Sequence, residues 1–407
     1  MPCVHFPPVC SMKGLMVRVM KDFPTHSFQT LQTPFYFYDT ALLQQTLDAV
    51  SAQLARHEGY RMHYAIKANA NPVILRMISA KGFGADCVSG GEVQLAIAHG
   101  FAPKSVVYAG VGKSDWEINI ALDAGIGCFN VESAAELHVI NELALRKGVK
   151  APVALRVNPD IGAHTHANIT TGLAENKFGI NLEQLSSVLH ETLSLPGVEY
   201  KGLHFHIGSQ ITDMLDFQAL CNRVNSLSHE LSRQGLPVGD INVGGGLGVD
   251  YEHPDNAPIA DFDAYFDVFR RHLDTCPGQL VHFELGRCIV APCGSLITRV
   301  LYVKEGTSKR FAIVDGSMTE LIRPALYHAF HLPQNISSAD TTRPVTTYDV
   351  VGPVCESSDV FVKAIDLPEC HRGDFIAFRT AGAYGETMAS GYNARPLPKS
   401  YFSTDFL

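Results

Sequence analysis

A single lysine, Lys67, follows the apolar run Tyr-Ala-Ile and precedes Ala-Asn-Ala-Asn-Pro in the stretch "YAIKANANP" (64–72). A lysine amine partly withdrawn from water has a lowered pKa and attacks carbonyl carbon. In "NVGGGLG" the successive glycines Gly244, Gly245 and Gly246 allow backbone N–H groups to close on an anion, and Ser209 in "HIGSQ" offers a hydroxyl to the same anion. His204 and His206 in "HFH" share one face of a strand, because side chains alternate with period two. Glu284 and Arg287 in "ELGR" are either a carboxylate and a guanidinium aimed at a ligand or an ordinary surface ion pair.

A basic lysine, a phosphate cradle, a flat imidazole and a carboxylate are the parts that pyridoxal phosphate needs. The carboxylate keeps the ring nitrogen protonated, so that the ring accepts electrons released at a substrate α-carbon. Zinc is the competing use of the histidine pair, with "AHTHAN" (163–168) offering two more, but no third and fourth ligand is secured by the spacing and no metal is expected. "GVGKSD" (110–115) is not a P-loop, since the earlier glycine the motif requires falls at Val107.

These residues need a scaffold that brings strand ends together. Strand-like runs occur at 61–67, 83–88, 105–110, 126–131, 153–159, 201–208, 240–246 and 280–286, separated by segments with apolar spacing near the helical period. Eight strands, each followed by a helix, predict a closed (β/α)8 TIM-like barrel, with a doubly wound open sheet as the alternative. In such a barrel the chemistry sits at the C-terminal strand ends. That is where Lys67, Asp86, Ser89, Arg156, Asn158, His206, Ser209, the glycines, Glu284 and Arg287 fall. Beyond residue 286 strand-like runs are separated by Gly, Pro, Asp and Ser, which predicts a β-rich domain, Greek-key-like, as a barrel or sandwich. "TPFYFYD" (33–39) precedes the alternating series and is expected to join it. The expected division is therefore an α/β chain with an N-terminal segment 1–40, a barrel 41–285 and a β domain 286–407.

Composition removes other classes. The 407 residues are 46% hydrophobic and 18% charged, as in a packed globular protein. With 41 acidic against 32 basic residues and no dense Lys/Arg block, nucleic acid is not an expected partner. No run approaches the ~18–20 apolar residues of a membrane helix, so no membrane partner is expected. The N-terminus lacks the clean apolar core of a signal peptide, and Met12, Met16 and Met20 offer later starts. Ten cysteines spread singly, without a CxxC pair, fit a reducing cytoplasm.

The stretches "YAIKANANP", "GFGADCVSGGEV", "VNPDIGAHTHANITTGLAENKFGI", "HFHIGSQI", "NVGGGLGVDY", "ELGR", "VDGSMTELIRPALYHAFH", "GPVCESSD" and "AGAYGETMASGYNARP" run in order from about residue 33 to 398. Together they resemble the fold-type III pyridoxal-phosphate decarboxylases. The resemblance implies that Lys67 binds the cofactor covalently, that His206 stacks on its ring and that Glu284 pairs with its nitrogen. It implies further that Ser209, Gly245, Gly246, Gly286, Arg287 and Tyr384 contact the cofactor. Arg287, Arg323, Tyr327, Glu356 and Tyr384 match substrate contacts. Cys355 and Glu356, in "CES", enter the site from the other subunit of a homodimer in this family, with Cys355 a proton donor. The implied reaction is decarboxylation of a small amino-acid substrate, meso-2,6-diaminopimelate, to L-lysine and CO2. Sister enzymes for ornithine, lysine, arginine or carboxynorspermidine share the cofactor residues, and a metal-dependent barrel hydrolase or a non-catalytic pyridoxal-phosphate protein are more distant alternatives. Leu285 departs from the family pattern, which has proline before Gly286; the change relaxes the backbone there and removes no functional group.

Overall fold

The computed structural model describes residues 23–161, 177–338 and 342–406. Strand β1 (Phe35–Tyr38) comes first, and eight parallel strands then close a barrel: β2 (Tyr60–Ala65), β3 (Gly84–Cys87), β4 (Val106–Tyr108), β5 (Cys128–Val131), β6 (Ala151–Arg156), β7 (Val198–His204), β8 (Asp240–Asn242) and β9 (Val281–Leu285). Closure is direct, since Tyr60 to Tyr64 of β2 pair with Val281 to Leu285 of β9. The open-sheet alternative is therefore excluded.

Barrel strands are covered on both faces, which explains why "VVY" and "GADC" are buried without alternation. The helices between them start and stop where their sequences dictate. Asp39 accepts from the N–H groups of Ala41 and Leu42 at the head of the helix Thr40–Leu54. Gly125 and Gly148 close two others in the left-handed conformation. Ser89, which falls at a strand end, is such a cap: its hydroxyl accepts from Glu92 N–H at 3.1 Å.

The strands β10 (Gly294–Glu305), β11 (Arg310–Val314), β12 (Pro333–Asn335), β13 (Val345–Val351), β14 (Val360–Pro368), β15 (Phe375–Phe378) and β16 (Lys399–Phe402) form the second sheet, in the order β12-β15-β10-β11-β13-β14. Strand β1 joins it, antiparallel to β10 and parallel to β16. The reason is apolar: Phe35 and Phe37 bury with Phe23, Phe28, Ile297 and Phe375 in a cluster separate from the barrel core.

The sheet domain contributes directly to the barrel mouth. Gly382 approaches Gly294 so closely that a Cβ on Gly294 would lie 2.3 Å from the Gly382 Cα, and one on Gly382 would lie 1.9 Å from the Val290 carbonyl oxygen. Tyr384, two residues on, donates its N–H to the carbonyl of Ala68 at 2.8 Å.

Candidate active site

Strand β2 ends at Ala65, and Lys67 sits on the single 3-10 turn Ile66–Ala68 that follows. The asparagines around it are structural. Asn69 donates to the Tyr38 hydroxyl and the Gly382 carbonyl, both at 2.8 Å, and Asn71 caps the helix that Pro72 opens. The turn is thereby pinned to both domains. Its lysine side chain is 41% exposed and points into a cavity of about 310 Å³.

Lys67 Nζ lies 3.2 Å from the buried carboxylate of Asp86 on β3. Burial alone would lower the amine pKa, but the charges of Asp86, Tyr384 and Glu284 outweigh it and raise the value. The expected lowering is thus corrected: this amine is held protonated by a neighbouring anion. Burial, with Glu284 adding to it, pushes the Asp86 carboxyl above its ordinary value, against the opposing pull of Lys67.

Glu284, near the end of β9, has a side chain only 5% exposed. Its Oε1 accepts from Asn242 Nδ2 at 2.7 Å and Asn130 Nδ2 at 3.1 Å, and its Oε2 from His204 Nε2 at 3.0 Å. Burial would raise its pKa, but His204, through charge and hydrogen bond, and then Lys67 hold the carboxyl well below the usual range. No ion pair with Arg287 forms, which removes the surface-pair reading of "ELGR". It also defines His204 as a carboxylate partner, with its Nδ1 lacking a hydrogen bond.

His206 follows β7 at the same wall. Burial, together with Arg156 and Lys67, lowers it to about 3, so the ring is neutral. Gly245 N–H donates to its Nδ1 at 3.3 Å, which leaves the proton on Nε2. A Cβ at Gly245 would fall 1.8 Å from the Glu284 carbonyl oxygen, and Gly246 has φ +109°. These two positions therefore require glycine. Arg287, buried after Gly286, donates to Ser209 Oγ at 2.9 Å and to the Tyr251 hydroxyl at 2.6 Å, and its guanidinium lies 4.8 Å from the Tyr384 ring centroid.

A second, outer cavity of about 710 Å³ shares His206, Ser209, Arg287 and Tyr384 with the first and adds Arg323, Tyr327 and Tyr251. Cys355 and Glu356 line neither: both are exposed on the bend after β13, where Glu356 Oε1 accepts from the Tyr392 hydroxyl at 2.7 Å. Arg156 is committed to Glu132 at 2.6 Å, with both side chains buried, and Asn158 Oδ1 accepts from Asp160 N–H. The stretch "AHTHAN" lies outside the described residues. Leu285 is fully buried in β9.

Asn130, Asn242, Tyr251 and His331 are site residues that the motifs did not single out. Asn130 and Asn242 carried a signal, since each is an inward-facing amide in an otherwise apolar strand run; Tyr251 and His331 close the stretches "NVGGGLGVDY" and "VDGSMTELIRPALYHAFH", but nothing in their residue types marked a role. Among the described residues no cluster of three His, Cys, Asp or Glu could hold a metal ion.

The donor set fits pyridoxal phosphate. A lysine amine enters the cavity with a buried carboxylate opposite it, and three buried polar atoms at its wall, Arg287 Nε, Asp86 Oδ1 and His204 Nδ1, have no hydrogen-bond partner. A parallel barrel with this mouth, completed by a sheet domain, is the architecture of a pyridoxal-dependent decarboxylase. Residues 41–291 match the family model described as pyridoxal-dependent decarboxylase, pyridoxal binding domain. The chain is 58% identical over 396 residues to the diaminopimelate decarboxylase of Bacteroides thetaiotaomicron, covering 97% of this chain and 100% of that one. It superposes on the crystal structure of Helicobacter pylori diaminopimelate decarboxylase complexed with L-lysine with a TM-score of 0.87, at 40% identity and 94% coverage of both chains. A lysine/ornithine decarboxylase from Vibrio vulnificus shares the fold, with a TM-score of 0.80 over 94% of this chain and 97% of that one, at only 23% identity. The chain belongs to the diaminopimelate decarboxylase family.

Proposed function

We propose that the chain decarboxylates meso-2,6-diaminopimelate to L-lysine and CO2, the last step of lysine biosynthesis by the diaminopimelate route. The observation that carries this reading is the pairing of a lysine-bearing inner cavity with an outer one walled by two buried arginines, Arg287 and Arg323. Lys67 would anchor pyridoxal phosphate covalently. Ser209, Gly245, Gly246, Gly286, Arg287 and Tyr384 would hold its phosphate end, His206 its ring face and Glu284 its ring nitrogen. When bound, the cofactor supplies the electron sink for the pair left on the α-carbon as the carboxylate departs.

The remaining work falls to the chain itself. Glu284, kept ionised by three donors, would hold a proton on the ring nitrogen of the bound group. Lys67, kept protonated by Asp86, holds a proton at Nζ within the inner cavity. That proton, or one from Cys355 Sγ, replaces the lost carboxylate. Arg323 takes the carboxylate at the far end of the substrate in a bidentate pair, Tyr327 lines the same wall, and Glu356 takes the distal ammonium. Simple diamine precursors have no such far carboxylate, which disfavours the sister substrates.

Because Cys355 and Glu356 lie away from both cavities of their own chain, we assign them to the site of a second copy, in a homodimer with shared sites. The domain divide after residue 285 and a cytoplasmic location complete the reading; all described cysteines are free thiols. No described helix is long and apolar enough to cross a membrane. The test is Lys67→Ala. The reading expects no borohydride-fixed cofactor on the 64–72 peptide and a loss of CO2 release of about 10³-fold or more. Normal turnover in this variant would overturn it.

A further inference from the structure

Arg323 and Arg287 are buried side by side, and among the described residues neither has a carboxylate within ion-pair distance. Two buried guanidinium groups without counter-anions are poised for anionic groups of a ligand. What aims them is a pair of uncharged rings. The Tyr251 hydroxyl oxygen accepts from Arg287 Nη1 at 2.6 Å and from Arg323 Nη1 at 3.0 Å. Arg323 Nη1 also lies 2.8 Å from His331 Nε2, and its guanidinium carbon lies 4.9 Å from the Tyr251 ring centroid. The two rings meet edge to face, with centroids 5.1 Å apart at 77°.

The chemistry of the partners fixes the state of His331. An arginine only donates, so Nε2 must accept; a carbonyl only accepts, so Nδ1, 3.1 Å from the Arg379 carbonyl oxygen, must carry the proton. The imidazole is neutral, of one tautomer and fully enclosed. Burial and the neighbouring arginine hold its pKa down at about 3. A carboxylate in its place would neutralise Arg323 and compete with the ligand, whereas a neutral acceptor orients the guanidinium and leaves its charge for the ligand. Tyr251 acts likewise. With both lone pairs taken by arginines, its hydroxyl has only its own proton to offer, and Tyr251 lines the outer cavity.

We propose that His331 is a positioning residue and Tyr251 a bridging residue that together set Arg323 for the far carboxylate of the substrate and tie it to Arg287 at the cofactor end. This rests on the reading of Arg323 given above. The consequence is selectivity: the pair favours ligands bearing the distal carboxylate over otherwise identical amines.

Calorimetry on the cofactor-loaded protein tests this, with L-lysine, which keeps that carboxylate, and 1,5-diaminopentane, which lacks it. His331→Leu and Tyr251→Phe are each expected to weaken L-lysine binding about 10- to 100-fold while changing 1,5-diaminopentane by less than about threefold. His331→Gln is expected to stay within about fivefold of the parent for L-lysine, because its amide can accept from Arg323 and donate to Arg379. Arg323→Leu should abolish the preference. If Arg323→Leu abolishes it but His331→Leu and Tyr251→Phe leave it intact, the positioning role is wrong and the Arg323 reading stands. If Arg323→Leu itself retains the preference, the Arg323 reading fails. Should His331→Leu not fold, Tyr251→Phe and His331→Gln decide, since loss in the first with retention in the second is the expected pattern and any other overturns it.

Discussion

Replacing Glu284 by glutamine removes one charge and almost no volume. The side chain is enclosed by three donors, the Asn242 and Asn130 amides on Oε1 and His204 Nε2 on Oε2. A glutamine can keep its carbonyl toward the two asparagines if its NH2 turns toward His204. The imidazole then has to accept at Nε2 and carry its proton on Nδ1, which has no partner to lose. The fold should therefore survive, with a stability cost of about 1–3 kcal/mol from imperfect hydrogen bonding. Catalysis should not. A buried charged pairing of this kind contributes about 2–5 kcal/mol, or roughly 30- to 4,000-fold. Removing one preorganised electrostatic stabiliser typically lowers kcat about 10²- to 10³-fold. The assay is CO2 release at saturating substrate and cofactor, with thermal melting of the same preparations to show that the protein is folded. A kcat within about threefold of the parent would refute the assignment of Glu284 as the group that holds the ring nitrogen protonated.

Two further outcomes follow from other parts of the molecule. With Cys355 Sγ as the proton donor, Lys67→Ala and Cys355→Ala should each be nearly inactive alone, but co-refolded subunits should recover about a quarter of parental activity, because half of randomly formed dimers carry one intact shared site of two; two inactive variants without recovery would place both residues in one chain's site, and an active Cys355→Ala would leave Lys67 as the donor. His63, enclosed within β2, bonds to Ser105 O at 3.0 Å and His282 Nδ1 at 2.9 Å, and burial, then His282, lowers it to about 4. Its unfolded value is about 6.5, so the stabilisation from a neutral ring is complete above that pH and is lost as pH falls toward 4. Relative to His63→Gln, the parent should lose about 1.4 kcal/mol of unfolding free energy per pH unit between about pH 6 and 4.5. Urea titrations that run parallel across that range would contradict the sign or the residue.

The barrel was legible because its strands are short apolar runs at regular spacing, as parallel strands buried on both faces are. The placement of β1 in the second sheet was legible from its position before the alternating series. The inner site was legible where function needs an unusual residue at a strand end, as with Lys67, Glu284 and the glycines. The electrostatic state of Lys67 was not, since it depends on Asp86, nineteen residues away and on the neighbouring strand. Tyr251 and His331 escaped for the same reason. Each is an ordinary residue type in a loop, and only the packing of the sheet domain against the barrel mouth brings them to Arg323. Arg156 shows the converse, a strand-end cation that is conspicuous in sequence and is satisfied by Glu132.

Purified protein with added pyridoxal phosphate, supplied in parallel with meso-2,6-diaminopimelate, L-lysine and L-ornithine, gives the most direct measurement. The account predicts stoichiometric CO2 and L-lysine from diaminopimelate, with kcat/KM at least about 10³-fold above that for either of the others, because each lacks the second amino-acid group that Arg323 and Glu356 are read to hold. Equal or faster CO2 release from L-lysine or L-ornithine would contradict it.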